Sequence, residues 1–371
     1  MVLIHHLCIM PFRRIMKDLA NKILFITISI ITICFSIMFI INKKDKYSEI
    51  ENRYLSDFNI NNVEEYVRDY FPFRIELISL KNNIELLTGK TLINDVYVAK
   101  DNYLIQLFKD NDKKDAIIRT INNFNNKVHN VDVMFVPDSI LINEDKLDYH
   151  LDILEDKEIN YLYSILNTNN INVIDILKEE NKKSINLYYK SDHHWTTHGA
   201  FIAYQKYFKD KYKIPYSLDD FNIRKVSDDF NGTSSSLALG LSTKDDIYIF
   251  DRPNSLIVNY VYENKITNSL YNYDYLNKKD KYSMFLDNNH ALIEIKNTLI
   301  DNDSSILVIK NSYANAFIPF LVNHYSNIYV IDLRYYPLSV SDYIKEKNID
   351  DILILYNLKN MYDDMSIVKL K

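Results

Sequence analysis

The chain has 371 residues, 47% hydrophobic and 25% charged, which excludes wholesale disorder and predicts one large domain with embellishments or two domains. Only four Gly and seven Pro exclude collagen-like and Pro-rich low-complexity chains. Of 44 basic and 50 acidic side chains, seven and two fall in residues 1–46, leaving 37 against 48 elsewhere; an acidic body without a basic stripe argues against nucleic acid as a partner.

In chain order the first signal is Ile23 to Ile41, ILFITISIITICFSIMFII, an uncharged run long enough to span a bilayer as a helix. Asn42, Lys43, Lys44, Asp45 and Lys46 follow it without a small-x-small cleavage pattern, so the expectation is an uncleaved signal anchor rather than a cleaved peptide. Residues 1–22 are then a short cytoplasmic N-terminus with Met10 and Met16 as alternative starts, 23–41 a single-pass transmembrane segment of the cell membrane, and the C-terminal body extracytoplasmic. Charge fixes this orientation only weakly, because Arg13, Arg14, Lys17 and Lys22 nearly balance Lys43, Lys44 and Lys46. Cys8 and Cys34 both precede residue 42, so the body carries neither thiol nor disulfide, which is compatible with an extracytoplasmic site.

Residues 42–115 read as a stalk: Ser48 to Phe58 is polar, and VEEYVRDYFPFRIELISLKNNIELL has helical apolar spacing interrupted at Pro72. Asn94 to Gln106 predicts a hairpin around Lys100, Asp101 and Asn102. An amphipathic helix follows near Asp115 to Lys127. From residue 116 to 371 short apolar runs alternate with helical segments. The predicted strands are Val131 to Val136, Ile171 to Ile176, Ser305 to Ile309, Ile328 to Leu333 and Asp351 to Tyr356, with helices at Asp152 to Asn167, from Ala314, and at Val340 to Lys347. Five such runs predict a parallel sheet in a doubly wound α/β domain. Residues 210–300 break the alternation with β-rich pieces at Asp246 to Phe250 and Ser255 to Tyr262, and read as an insertion.

Tyr188 to Tyr204, YYKSDHHWTTHGAFIAY, gathers Asp192, His193, His194, the single Trp195 and His198 just before a helix. Three readings stay open from residue chemistry. Asp192 and a histidine two residues on orient a general base toward a serine elsewhere; Asp192, His194 and His198 ligate a metal, the histidines one helical turn apart; or these groups cap the helix and satisfy polar edges of the core. The serine with the best context is Ser312 in ILVIKNSYANAFIPFL, directly after an apolar strand and opening a helix, where amides are natural oxyanion donors; an N-cap role fits it equally. Arg334, Tyr335 and Asn357 follow two further strands into the same predicted crevice, and each alone also reads as a polar residue at the protein surface.

The SDHHWT segment resembles the DHHW protein family, and SEIENRYL, RDYFPFR, NDVYVAKDNYLI, DDFNGT and KNSYANAFIPFLVNHYSNIYVIDLRYY look like landmarks of the same family from Ser48 onward. That family is similar to periplasmic alginate O-acetylation proteins, which are SGNH-hydrolase-like and use a serine with an Asp-x-His pair. The resemblance implies Ser312 as nucleophile, with His194 and Asp192 as the pair. It also implies a circularly permuted SGNH-hydrolase-like (flavodoxin-like) sheet, in which Ser305 to Ser312 is the first strand and its nucleophile, Ile328 to Arg334 the second strand and Asp351 to Asn357 the third. Val131 to Pro137 and Ile171 to Ile176 are then the fourth and fifth. Two positions depart from the pattern: Asn311 stands where relatives carry Asp, and Arg334 where they carry Gly. In this register Val136 to Ile140, VPDSI, imitates a nucleophile motif, and Ser139 reads as a turn residue.

The implied activity is a membrane-anchored serine acyl-ester enzyme, an O-acetyltransferase or acetylesterase acting on a cell-surface polysaccharide. It would use no cofactor and no metal, with amides of Ser312 and Tyr313, and Asn357 or Arg334, holding the oxyanion. Its implied partners are a glycan substrate and an acyl-feeding membrane protein. A non-catalytic glycan-binding or scaffolding protein on the same fold is the alternative, and a metal-dependent hydrolase the third reading.

Overall fold

The computed structural model describes residues 2–41, 45–109, 113–148, 151–183 and 185–371. Lys43 and Lys44, and the side chains of Cys8, Met10, Arg13, Arg14 and Met16, lie outside the described residues. By internal contacts the chain divides into residues 1–81 and 82–371.

In the first unit, the helix Val2–Ile41 extends well beyond the uncharged run, and Lys17–Phe39 within it is long and apolar enough to cross a membrane. The polar part that follows is tied by ion pairs. Arg53 grips the buried Asp69 with two nitrogens, at 2.6 and 2.9 Å, Ser56 N donates to the same carboxylate, and Arg74 reaches Glu51 at 2.8 Å. The guanidinium beside Asp69 holds that carboxyl well below the usual carboxylate range. SEIENRYL and RDYFPFR are thus two halves of one clasp.

The second unit is organised by an eight-stranded sheet made of β1 (Val131–Val136), β2 (Asn169–Asn170), β3 (Leu256–Tyr260), β4 (Lys265–Thr267), β5 (Leu292–Asn297), β6 (Ser305–Lys310), β7 (Asn327–Ile331) and β8 (Asp351–Asn357), in the spatial order β4-β3-β5-β7-β6-β8-β1-β2. The run β7-β6-β8-β1-β2 is parallel and the remaining pairings are antiparallel. Counted from β6, the parallel run has the order 2-1-3-4-5, the circularly permuted SGNH-hydrolase-like (flavodoxin-like) arrangement, and its topological switch lies between β6 and β8. Side chains alternate between two cores as strand geometry requires. Val136, Ile306, Val308, Leu353 and Leu355 face a layer containing the helix Thr197–Asp210, while Val133, Leu307, Ile309, Ile352 and Ile354 face the helices Lys114–Val128, Glu155–Ile165, Val340–Lys347 and Leu358–Asp364.

Several expectations need correction. Ile171 to Ile176 is not a strand: pairing with β1 ends at Asn170 and the Ile171 amide, and the helix Ile174–Asn181 begins at once. Asn172 Oδ1 accepts from Ile174 N at 3.0 Å, an Asx turn that bends the chain where the apolar run alone fits either element. The hairpin near residue 100 is part of a three-stranded antiparallel sheet, Leu92–Ile93, Val96–Val98 and Leu104–Gln106, turning through Asp101 and Asn102 at φ 56° and 63°. Residues 210–300 divide in two: Asn222–Phe230 and Asp245–Asp251 form a separate hairpin, whereas β3, β4 and β5 continue the main sheet and cover the edge of β7. The helix expected from Ala314 is a 3₁₀ turn, Ser312–Ala316, followed by a single helical turn, Ile318–Leu321, with Pro319 near its start.

Candidate active site

Ser312 lies at the carboxyl end of β6, beside the switch between β6 and β8. From Ser305 to Asn323 every side chain is buried except this one, so an incoming molecule meets Ser312 alone on that segment. The N-cap of its turn is Asn311, whose Oδ1 accepts from Tyr313 N at 3.3 Å, so the capping role considered for Ser312 falls to its neighbour. Asn311 does more than an Asp could. Its Oδ1 also accepts from Asn357 N at 3.3 Å, and its Nδ2 donates to the Asn357 carbonyl at 3.2 Å, clamping the ends of β6 and β8 together.

His194 Nε2 stands 2.7 Å from Ser312 Oγ, and His194 Nδ1 stands 2.6 Å from Asp192 Oδ1. An ionised carboxylate only accepts, so Nδ1 carries the hydrogen and Nε2 is left as an acceptor for the serine hydroxyl. Asp192 is buried, with Oδ1 also taking His194 N at 3.0 Å and Oδ2 taking Thr233 N at 2.8 Å. Burial by itself lifts the Asp192 carboxyl, but His193, His194 and the hydrogen bonds outweigh it and hold the group well below the ordinary carboxylate range. Burial and the adjoining His194 push His193 down to about 3, against the pull of Asp192, which leaves it neutral. The Tyr282 ring stacks on His194 with centroids 3.8 Å apart, and its hydroxyl donates to the Ser312 carbonyl at 3.0 Å. Trp195 Nε1 donates to the Tyr313 carbonyl at 2.8 Å and the Tyr313 hydroxyl to the His193 carbonyl, so the histidine segment and the serine turn are bolted together on both sides.

The other residues singled out from sequence fall as follows. The helix Thr197–Asp210 is capped by Thr196, not by Asp192 or a histidine. His198 is turned away from the serine: it packs edge-on against Tyr248 and Phe250 and lines a separate cavity of about 510 Å³ with Lys190, Thr196 and Asp245. The metal set of Asp192, His194 and His198 is therefore not assembled. Ligand atoms of Asp192, His193 and His194 do lie within 4.8 Å of one another, but both ring nitrogens of His194 are already engaged by Asp192 and Ser312. Asn357 is fully buried: its Nδ2 donates to the Val136 carbonyl at 3.1 Å and to Asp138 Oδ1 at 2.9 Å, and its Oδ1 caps Asn360 N. Arg334 is held bidentate on the buried Asp332, at 2.9 and 2.6 Å. The Asn357 amide and two of the three Arg334 guanidinium nitrogens are thus engaged inside the fold rather than at Ser312. The Ser312 amide, first in its turn, has no acceptor within the turn, whereas the Tyr313 amide is shared with Asn311. Ser139 is buried and accepts from Asn143 Nδ2 at 2.9 Å.

Sequence reasoning missed Gly232, Thr233, Asp245 and Tyr282. Asp245 receives Lys190 N, Ser191 N and Ser191 Oγ at 2.9, 2.8 and 2.6 Å, fixing the loop just before Asp192. Gly232 donates to Ser191 Oγ at 2.9 Å, and a Cβ there would lie 2.3 Å from that of Asp192. One of only four glycines, inside DDFNGT, was the available signal; Tyr282 is hidden among thirty tyrosines.

The family model described as DHHW protein matches residues 32–331, and the chain belongs to that family. No curated protein matches it. Among solved structures, a DHHW family protein from Eubacterium siraeum is similar at 20% identity and a TM-score of 0.63, covering 75% of this chain and 96% of its own. PatB1 of Bacillus cereus, solved with a sulfonyl adduct, is similar at 19% identity and a TM-score of 0.62, covering 74% and 98%. At these identities the likeness establishes the fold.

Proposed function

We propose that this DHHW protein is a serine acyl-ester enzyme, anchored in the cell membrane by its N-terminal helix with the body outside, that moves an acetyl group to or from a cell-surface polysaccharide. The observation that carries the reading is the chain Asp192 Oδ1, His194 Nδ1, His194 Nε2 and Ser312 Oγ, at 2.6 and 2.7 Å, ending at the one accessible side chain of its segment. His194 takes the Ser312 proton as Oγ bonds to the acyl carbon, and the oxyanion that forms is held by the Ser312 amide with help from that of Tyr313. Collapse breaks the bond to the leaving oxygen, which receives the proton from His194, and leaves an acetyl ester on Ser312. A sugar hydroxyl or water then gives its proton to His194 as its oxygen bonds to the acyl carbon; the acyl–Oγ bond breaks, His194 returns the proton to Ser312 Oγ, and the acetyl group leaves on the sugar or as acetate. Asp192 remains ionised throughout, which its carboxyl, held well below the ordinary carboxylate range, favours. An acyl-feeding membrane protein as donor, and a triad of these three residues, belong to the same reading.

The test is full-length protein in detergent treated with p-nitrophenyl acetate, followed by intact mass. The wild type gains one acetyl group and Ser312→Ala gains none; discharge accelerated by an added polysaccharide marks transfer, and discharge indifferent to it marks an esterase. Folded wild-type protein that never becomes acetylated, yet binds glycan equally well with Ser312→Ala, points to the non-catalytic alternative. PatB1 was solved with a sulfonyl adduct, which makes a sulfonyl fluoride a natural second probe.

A further inference from the structure

Behind the serine turn two carboxyls are buried without an ion pair among the described residues. Asp138, just past β1, and Glu155, the first residue of the helix Glu155–Ile165, are 4% and 0% exposed. Asp138 N donates to Glu155 Oε1 at 2.8 Å. Asp138 Oδ2 and Glu155 Oε2 are buried with no hydrogen-bond donor, and the two carboxyls lie within hydrogen-bonding reach of each other. Two desolvated carboxylates so placed cannot both ionise at modest cost. One proton held by the pair lowers its charge and gives a carboxyl otherwise without a donor a hydrogen to contribute.

The pair is connected to the nucleophile. Asp138 Oδ1 accepts from Asn357 Nδ2 at 2.9 Å; the Asn357 backbone is clamped on both its amide and its carbonyl by Asn311; and Asn311 Oδ1 takes the Tyr313 amide next to Ser312. We infer that Asp138 and Glu155 hold a single proton and act, through Asn357 and Asn311, as positioning residues for the Ser312 turn, so that ionising the pair in alkaline solution disengages the nucleophile. The inference rests on the reading of Ser312 as nucleophile. Charged and titratable groups facing the pair are Asp156 on its own helix, Lys359 and Asp363 on the helix Leu358–Asp364, and the phenols of Tyr188 and Tyr313. Lys359 is itself paired with Asp363 at 2.8 Å, and burial keeps both phenols neutral. Burial lifts both carboxyls, and the Asp138 charge lifts Glu155 further. The Pro-Asp-Ser segment that imitates a nucleophile motif thus contributes its aspartate, not its serine.

The test is the pH profile of fluorophosphonate labelling of full-length protein in detergent, for wild type and Glu155→Gln, whose amide permanently supplies the hydrogen. Wild type should lose labelling roughly tenfold per pH unit once the shared proton is gone, and Glu155→Gln should keep the neutral-pH rate and lose that alkaline limb. An alkaline limb unchanged in Glu155→Gln overturns the proposal. The infrared spectrum of the wild type needs neither a folded variant nor a reactive serine. A carboxylic-acid carbonyl band at neutral pH, titrating away on the alkaline side together with a drop in thermal stability, supports the shared proton; its absence overturns it, whatever Ser312 does.

Discussion

Gly232 brings its backbone against the Asp192 side chain so closely that an added methyl group would sit 2.4 Å from Oδ2. Gly232→Ala should therefore cost about 1–3 kcal/mol by overpacking and, by moving Asp192 off His194, slow fluorophosphonate labelling about 10²-fold. Thermal unfolding reads the first effect and labelling kinetics the second. Asp192→Asn leaves the space unchanged but removes the negative charge and replaces one of the two oxygens that now accept from His194 and Thr233 with a donor, so the His194 tautomer is no longer fixed and labelling should fall roughly 10²–10⁴-fold. His193 and His324 are both neutral in the fold, burial being the main cause, and are pushed down to about 3 and about 4 from 6.5. Their folded-state values lie below the unfolded ones, so their contribution to stability is complete above 6.5 and is lost as pH falls toward those lower values. The melting temperature should decline across that acidic window, and less steeply in His324→Gln.

At the scale of elements, the switch between β6 and β8 is where one asparagine does the joining. Asn311→Asp would set a carboxylate oxygen against the Asn357 carbonyl, losing the donor that the amide supplies, at a cost of about 1–3 kcal/mol measurable in denaturant unfolding. Strands β1, β6, β7 and β8 were legible in the sequence because each is a short apolar run that ends at a polar or turn residue, such as Pro137 or Asn311. Ile171 to Ile176 misled because a six-residue apolar run fits a strand or the first turn of a buried helix, and only the Asn172 side-chain bond decides between them. The histidine cluster, its aspartate and Ser312 were legible as separate motifs. That Asn357 spends its amide inside the fold was not, since it depends on Asp138, which approaches from another strand; Arg334 by contrast pairs with Asp332, two residues before it on the same strand end.

For the whole molecule, the permuted order means that the serine strand arrives late in the chain and still occupies the centre of the sheet, with β1 and β2 completing one side and the inserted β3 to β5 the other. Asp192, His194 and Ser312 all lie within residues 82–371, and the helix Val2–Ile41 belongs to the other unit. A chain lacking residues 17–39 should accordingly leave the carbonate-resistant membrane fraction while keeping the labelling rate of the parent protein, and retention in that fraction would place the anchor elsewhere.

The central claim, that Ser312 is an activated nucleophile, is tested most directly by intact-mass spectrometry of the full-length protein after a fluorophosphonate probe, comparing wild type, Ser312→Ala and Ser139→Ala. A single adduct on wild type and Ser139→Ala, absent from Ser312→Ala, is the predicted result. An adduct that survives Ser312→Ala, or none on folded wild-type protein, would contradict it.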